Sequence, residues 1–194
     1  MLRPLDTSNE APMTYSLQIL GMAVAALAMG LMVWSIAVPS RRIWPPPGPS
    51  PLATGLVWAI TAMLVVVILV LSVLGWGQAD LPLWLRIGVG GPLLLVGNAV
   101  VWREAARFGA KQTMGDKGVL LTDGFYRYSR HPQYVADIAL CVGWFLVSAS
   151  LIAVPVTIAA IILLILAPYA EEPWLVEVYG EQYRDYRQKT RRFL

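Results

Sequence analysis

The stretch Leu52-Ala-Thr-Gly-Leu-Val-Trp-Ala-Ile-Thr-Ala-Met-Leu-Val-Val-Val-Ile-Leu-Val-Leu-Ser-Val-Leu-Gly-Trp76 runs for 25 residues without a charged side chain. A hydrocarbon core of roughly 30 Å needs about 20 apolar helical residues at about 1.5 Å each, so this run is long enough to cross a bilayer as a helix. Four further runs qualify: Tyr15 to Val38, Leu81 to Trp102, Pro132 to Ser148 and Leu151 to Ala170. Together they predict an all-α integral membrane protein with five transmembrane helices. The composition agrees, because 57% of the 194 residues are hydrophobic and only 14% charged, where an ordinary globular domain has roughly 25% charged residues.

Working outward, the connections carry the charge. Thirteen of the 15 Lys and Arg residues fall in the first, third and C-terminal connections, leaving Arg3 and Arg86 on the other side. The positive-inside rule then places the N-terminus outside and the C-terminus in the cytoplasm, with Gly75 to Asp80 and Ser148 to Ser150 as short external turns. The net charge of +3 is thereby explained as topology, and no nucleic-acid partner is expected. The first connection, Pro39-Ser-Arg-Arg-Ile-Trp-Pro-Pro-Pro-Gly-Pro-Ser-Pro51, cannot continue a helix and reads as a stiff extended turn, with Trp44 at headgroup depth. The N-terminal segment, with Asp6 and Glu10 beside Arg3, lacks the basic region of a cleaved signal and is expected to be retained. The glycines of Gly88-Val-Gly-Gly-Pro92 lie within a span with no strand before them, so close helix packing or a kink at Pro92 explains them better than phosphate binding.

One cysteine, Cys141, and one histidine, His131, exclude an intrachain disulfide, a Cys/His zinc site, a CxxC redox pair and a bis-histidine haem, and no metal is expected. The remaining polar chemistry is concentrated in two pieces, Arg103 to His131 and Glu171 to Leu194. The first enters the fourth span through Arg130-His-Pro-Gln-Tyr134, with Thr122-Asp123-Gly124 as a turn and Pro132 suited to a first helical turn. In the second, Leu175, Tyr179, Tyr183 and Tyr186 recur at helical spacing. They predict an amphipathic helix that lies in the interface, a reading compatible with its folding back as a lid over Arg130 and His131. Glu171 and Glu172 point about 100° apart and complement a helix start at Pro173. Asp137, inside the fourth span, is a site candidate unless it snorkels to the interface. Cys141 reads as a packing residue, and His131 as a hydrogen-bonded structural residue before a base.

The two pieces in order resemble the C-terminal signature of isoprenylcysteine carboxyl methyltransferases. The residues concerned are Gly118-Val-Leu-Leu-Thr-Asp-Gly-Phe-Tyr-Arg-Tyr-Ser129 leading into Arg130-His-Pro-Gln-Tyr134, then Glu171-Glu-x-x-Leu175, Tyr179-Gly180-x-x-Tyr183-x-x-Tyr186 and Arg192-Phe193. The apolar runs and short connections predict a single membrane domain over 1–194 with three N-terminal spans (1–102), and the resemblance, which covers roughly Lys111 to Phe193, implies that 103–194 is a cofactor-binding catalytic region. It also implies methyl transfer from S-adenosyl-L-methionine to the carboxylate of a lipophilic, isoprenylcysteine-like substrate that enters from the bilayer. The cofactor residues it implies are Lys111, Gln112, Gly118, Val119, Leu120, Leu121, Tyr126, His131, Pro132, Tyr134, Glu171 and Glu172; the catalytic group is Arg130, His131, Glu171 and Glu172. A carboxylate is already ionised at neutral pH, so His131 need not act as a base in that reaction. Eukaryotic members carry a basic residue ahead of the acidic pair, whereas no Lys or Arg occurs here between Arg130 and Arg184. Phospholipid N-methyltransferases, with an amine acceptor, are the alternative within the same superfamily. Membrane sterol reductases using NADPH are the alternative of a different reaction class.

Overall fold

The computed structural model describes residues 10–48, 50–113 and 117–194, although Glu10, Ala11, Ala110, Lys111 and Thr113 are described only as backbone. The described residues are helical or irregular, with no strand. The helices are α1 (Glu10–Ala37), α2 (Pro51–Leu74), the short α3 (Leu83–Leu85), α4 (Gly91–Thr113), α5 (Pro132–Ser148), α6 (Val154–Tyr179) and α7 (Glu181–Lys189). A π-helical stretch, Arg86–Gly90, joins α3 to α4. Four stretches are long and apolar enough to cross a membrane: Pro12–Ala37, Pro51–Leu74, Leu83–Gly109 and Val154–Tyr179. The fifth expected span, α5, is apolar but only 17 residues long.

Local chemistry sets the helix ends. The Ser50 hydroxyl accepts from the Ala53 amide at 3.3 Å, and Pro51 opens α2, where its missing N–H costs nothing. Helix α5 stops at Ala149, which adopts a left-handed conformation (φ 51°). Beyond it the chain pairs with the α2–α3 connection: the Gly77 and Ala79 amides donate to the Ser148 and Ala149 carbonyls, both at 2.8 Å. The two turns expected on one side of the bilayer are thus bonded to one another. Arg86 caps the same end by donating twice to the Val147 carbonyl, at 3.0 and 2.7 Å.

Helices α1, α2 and α6 share a core of Ala25, Leu64, Val67, Leu71 and Val156. Helix α5 joins α6 to α4, and the α4–α5 contact explains the glycine run. A Cβ on Gly143 would stand 2.9 Å from Leu93 Cβ and 3.0 Å from the Gly90 carbonyl. The π-helical stretch lies immediately before Pro92 and accommodates the amide that proline lacks. Close packing and a local irregularity therefore coexist here. Gly143→Leu is expected to prise α4 from α5 and destabilise the protein by about 1 to 3 kcal/mol, the usual cost of overpacking. Thermal unfolding in detergent would check this, and an unchanged midpoint would contradict the packing described.

The structure corrects two boundaries. No new helix starts at Pro173, because α6 continues through Pro168 and Pro173 to Tyr179. The expected amphipathic helix is instead broken at Gly180, whose φ of 57° suits a residue without a Cβ. Leu175 and Tyr179 thus belong to α6, and Tyr183 and Tyr186 to α7. The third span also runs further than Trp102, with helical structure reaching Thr113 across a break at Gly109.

Candidate active site

The turn of α6 that carries Glu171 and Glu172 meets the start of α5, and His131 stands between the two carboxylates. His131 Nδ1 is 3.6 Å from Glu171 Oε2, and Nε2 is 3.6 Å from Glu172 Oε1. Their 100° separation, which keeps them from facing each other, allows them to straddle a third group. The imidazole is 5% exposed and stacks on Tyr134, with ring centroids 5.7 Å apart. Its Nε2 has no hydrogen-bond partner within 3.5 Å among the described residues.

The two glutamates are held differently. Glu172, 5% exposed, accepts from Arg130 Nε and Nη2 at 3.1 and 2.6 Å and from Arg192 Nε and Nη2 at 2.9 and 2.8 Å. The hydrogen bonds to Glu172 hold the Arg192 guanidinium more firmly protonated than an ordinary arginine. Arg130 also donates to the Thr190 carbonyl at 2.5 Å, while its amide donates to the Arg191 carbonyl at 2.8 Å. Glu172 is therefore the knot that ties the C-terminal segment onto the α5 entry. Glu171 has neutral donors: Trp44 Nε1 at 2.9 Å and the Tyr134 hydroxyl.

Trp44 was expected among the headgroups, and here it reaches the site from the connection between α1 and α2. That connection is held in place by Arg42, which is buried and donates to both carboxylate oxygens of Glu177, at 3.3 and 2.8 Å. Arg42 also donates to the carbonyls of Pro39 and Pro45 at 2.9 and 2.8 Å, and the Ile43 amide donates to the Ser35 hydroxyl at 2.9 Å. In sequence, Arg41 and Arg42 signalled only topology. Nothing local to the sequence links them to residues more than 120 positions away.

Of the tyrosines in the stripe, Tyr183 and Tyr186 are buried and Tyr179 is half-buried. Tyr126, Tyr183 and Tyr186 form a buried cluster with Phe108, Leu121 and Leu175 around it. The Tyr186 hydroxyl donates to the Tyr126 carbonyl at 2.7 Å, and the Tyr179 hydroxyl donates to the Gly118 carbonyl at 3.0 Å. Burial pushes the Tyr126 phenol well above its ordinary range, and the charges of Glu104 and Glu171 push it further. Burial does the same to Tyr183 and Tyr186, so all three phenols are neutral at pH 7.

Of the residues singled out in the sequence, Arg130, His131, Tyr134, Glu171 and Glu172 come together around one imidazole. Gly118, Val119 and Leu120 line a neighbouring open cavity of about 480 Å³ with Lys117, Tyr179 and Gln182. Leu121 packs against the tyrosine cluster, and Gln112 Nε2 donates to the Val119 carbonyl at 3.0 Å. The Lys111 side chain lies outside the described residues. Pro132 lines a separate apolar groove between α4 and α5. Sequence reading missed Glu104, whose side chain is fully buried on α4 and receives a hydrogen bond from Arg107 at 3.1 Å. It also missed Trp44, Arg42 and Glu177.

A carboxylate pair around a buried imidazole, walled by neutral phenols at one mouth of an apolar helical bundle, suits a membrane-embedded group-transfer enzyme. A family model described as phospholipid methyltransferase matches residues 85–182, half of the chain, and the protein belongs to that family. This is a membrane methyltransferase family, in the same superfamily as the isoprenylcysteine carboxyl methyltransferases, and its methyltransferases in general use S-adenosylmethionine. No curated protein and no solved structure matches the chain. The matched segment contains His131, Tyr134 and both glutamates, whereas Arg42, Trp44 and Arg192 lie outside it.

Proposed function

We propose that the protein uses S-adenosyl-L-methionine to methylate the amine of a lipophilic, phospholipid-like acceptor, at a site around His131, Glu171 and Tyr134. The observation that carries this reading is the distribution of charge. Arg130 and Arg192, the two cations that reach the acidic pair among the described residues, are both engaged by Glu172. Glu171 keeps a carboxylate whose hydrogen-bond donors are neutral. Such a site favours cationic groups over an incoming carboxylate. The residue types also suit the cofactor: carboxylate oxygens accept from hydroxyl and amino groups, phenol faces attract a sulfonium, and His131 Nε2 has spare hydrogen-bonding capacity.

When bound, S-adenosylmethionine supplies an electrophilic methyl group. The chain's part is to align the acceptor, exclude water and manage one proton. An amine reacts through its neutral lone pair and sheds a proton after methylation. His131, between two carboxylates, is placed to take that proton, a role that a carboxylate acceptor would not need. Methylation of an isoprenylcysteine carboxylate is the second reading, favoured by the resemblance of Arg130-His-Pro-Gln-Tyr134 and the acidic pair. In that case Arg130 or Arg192 would have to leave Glu172 to meet the substrate. In either reading we place five spans in the bilayer, the N-terminus outside and the site at the cytoplasmic face, on the arginine and lysine distribution.

Calorimetric titration of detergent-purified protein with S-adenosylhomocysteine, with NADPH in parallel, tests the cofactor. Saturable binding of the first alone is expected, and binding of NADPH alone would move the protein to the reductase class. Vesicles carrying a lipid amine or a prenylcysteine then separate the two acceptors by product mass. Trp44→Phe keeps the ring and removes the donor to Glu171. It is expected to weaken S-adenosylhomocysteine binding about tenfold, or roughly 1.4 kcal/mol, near the lower end for a hydrogen bond to a charged group. Unchanged affinity would remove Trp44 from the site.

A further inference from the structure

The apolar groove between α4 and α5 has Phe125 of the Gly124–Arg127 turn in its wall, whereas Tyr126 of the same turn belongs to the tyrosine cluster. The groove measures about 270 Å³ and is walled by Leu93, Val96 and Val100 of α4 and Val135, Ala136 and Ala139 of α5. Gly97 brings these helices together, since a Cβ there would stand 2.9 Å from Leu140 and 3.0 Å from the Ala136 carbonyl. The stretch that includes α4 is the least buried of the four long apolar ones, and Val96 in the groove wall is 63% exposed, so the groove is open at the protein surface. Phe125, Tyr128 and Ser129 also line it, and Tyr128 is 69% exposed.

Arg103 follows Val96 and Val100 along the same face of α4, at helical spacings of four and three. Its guanidinium rests on the Phe125 ring, 4.9 Å from the centroid. The side chain is 55% exposed, and Glu104 stands 3.9 Å away, beyond hydrogen-bond distance. Four other arginines are paired with carboxylates: Arg107 with Asp123 and Glu104, Arg130 and Arg192 with Glu172, and Arg42 with Glu177. Arg103 thus holds a fork of donors, without a hydrogen-bond acceptor among the described residues, at the mouth of an apolar groove.

We propose that this groove and Arg103 bind an anionic phospholipid, with one acyl chain between α4 and α5 and the phosphate on the guanidinium. The groove alone would take any hydrocarbon chain. The guanidinium selects a lipid whose phosphate charge is not offset by an ammonium of its own, and its planar fork matches phosphate oxygens in pairs. The exposed Tyr128 phenol suits the same headgroup level. An apolar protein helix is disfavoured, because it would desolvate Arg103 without supplying an anion. The lipid would brace Phe125 and Ser129, which lie in the same short loop as Tyr126 and His131.

The test is native mass spectrometry of the full-length protein, delipidated in detergent and titrated with phosphatidylglycerol or phosphatidylcholine of identical chains. Retention of phosphatidylglycerol at least fivefold above phosphatidylcholine is expected. Arg103→Ala should remove that preference, and Val100→Trp, which fills the groove, should lower retention of both lipids. Ala139→Leu replaces Val100→Trp if the latter does not fold by circular dichroism. Equal retention of the two lipids by the unaltered protein would overturn the proposal, as would a preference that survives Arg103→Ala. Displacement of phosphatidylglycerol by a lipid amine at equal concentration would overturn it too, by assigning the groove to the acceptor's own tail.

Discussion

Glu172→Gln is expected to unfold at a markedly lower temperature, with a loss of about 3 kcal/mol or more. Two guanidiniums converge on this one buried carboxylate, at 2.6 and 2.8 Å. The amide keeps the shape but not the charge, leaving Arg130, itself nearly buried, without an anion. Removing one partner of a buried pair costs about 3 to 5 kcal/mol, more than the pair contributes when intact. The loss is local in origin, because the Thr190 and Arg191 carbonyls are held through Arg130. Hydrogen exchange should therefore show Thr190 to Leu194 opening first. A variant with the unaltered unfolding midpoint and unaltered protection at these residues would refute the knot.

The neighbouring substitution separates binding from folding. Glu171→Gln should leave the unfolding midpoint within about 1 °C but reduce S-adenosylhomocysteine affinity by about ten- to a hundredfold. That range corresponds to roughly 1.4 to 2.7 kcal/mol, the span for a hydrogen bond to a charged group. Its side chain is more exposed than that of Glu172, and its hydrogen-bond partners, Trp44 and Tyr134, are neutral donors that an amide oxygen still satisfies. On the proposed function the two adjacent glutamates divide the work, Glu172 holding the C-terminal segment and Glu171 meeting the cofactor. Equal loss of stability in both variants, with affinity untouched in Glu171→Gln, would reverse that division.

The membrane character of the fold was legible because hydrocarbon length imposes a run length on the sequence. Pro132 to Ser148 matches α5 end to end, since a proline opens it and a left-handed residue closes it. The lower boundary of α6 was not legible. Pro173 reads as a start signal in isolation, yet the helix continues through it to Tyr179. The stripe from Leu175 to Tyr186 suggested one helix because its spacing survives the break at Gly180, where the chain bends but the tyrosines still reach a common cluster. Of the site, the motifs pointed to Arg130, His131, Tyr134 and the acidic pair. They were silent on what holds each glutamate, because those partners come from across the fold: Trp44 from the first connection, Arg192 from beyond α7. Arg86 and Arg42 each looked like topological markers, whereas both are spent on capping or pairing within the protein.

The strap from Pro39 to Pro45 has a consequence for anyone exchanging parts of this protein with a relative. Its anchors are split between two halves of the chain: Arg42 and Trp44 in one, Glu177 and Glu171 in the other. Only the second half of that lock lies within the family-matched segment. A chimaera joined between α2 and α3 would carry one bolt without its keeper unless both partners were transplanted together. Transplanting the strap with its two glutamates, by contrast, moves the whole fastening as a cassette. The opening helices are in this sense part of the family-matched half's inheritance, and no mere mooring in the bilayer.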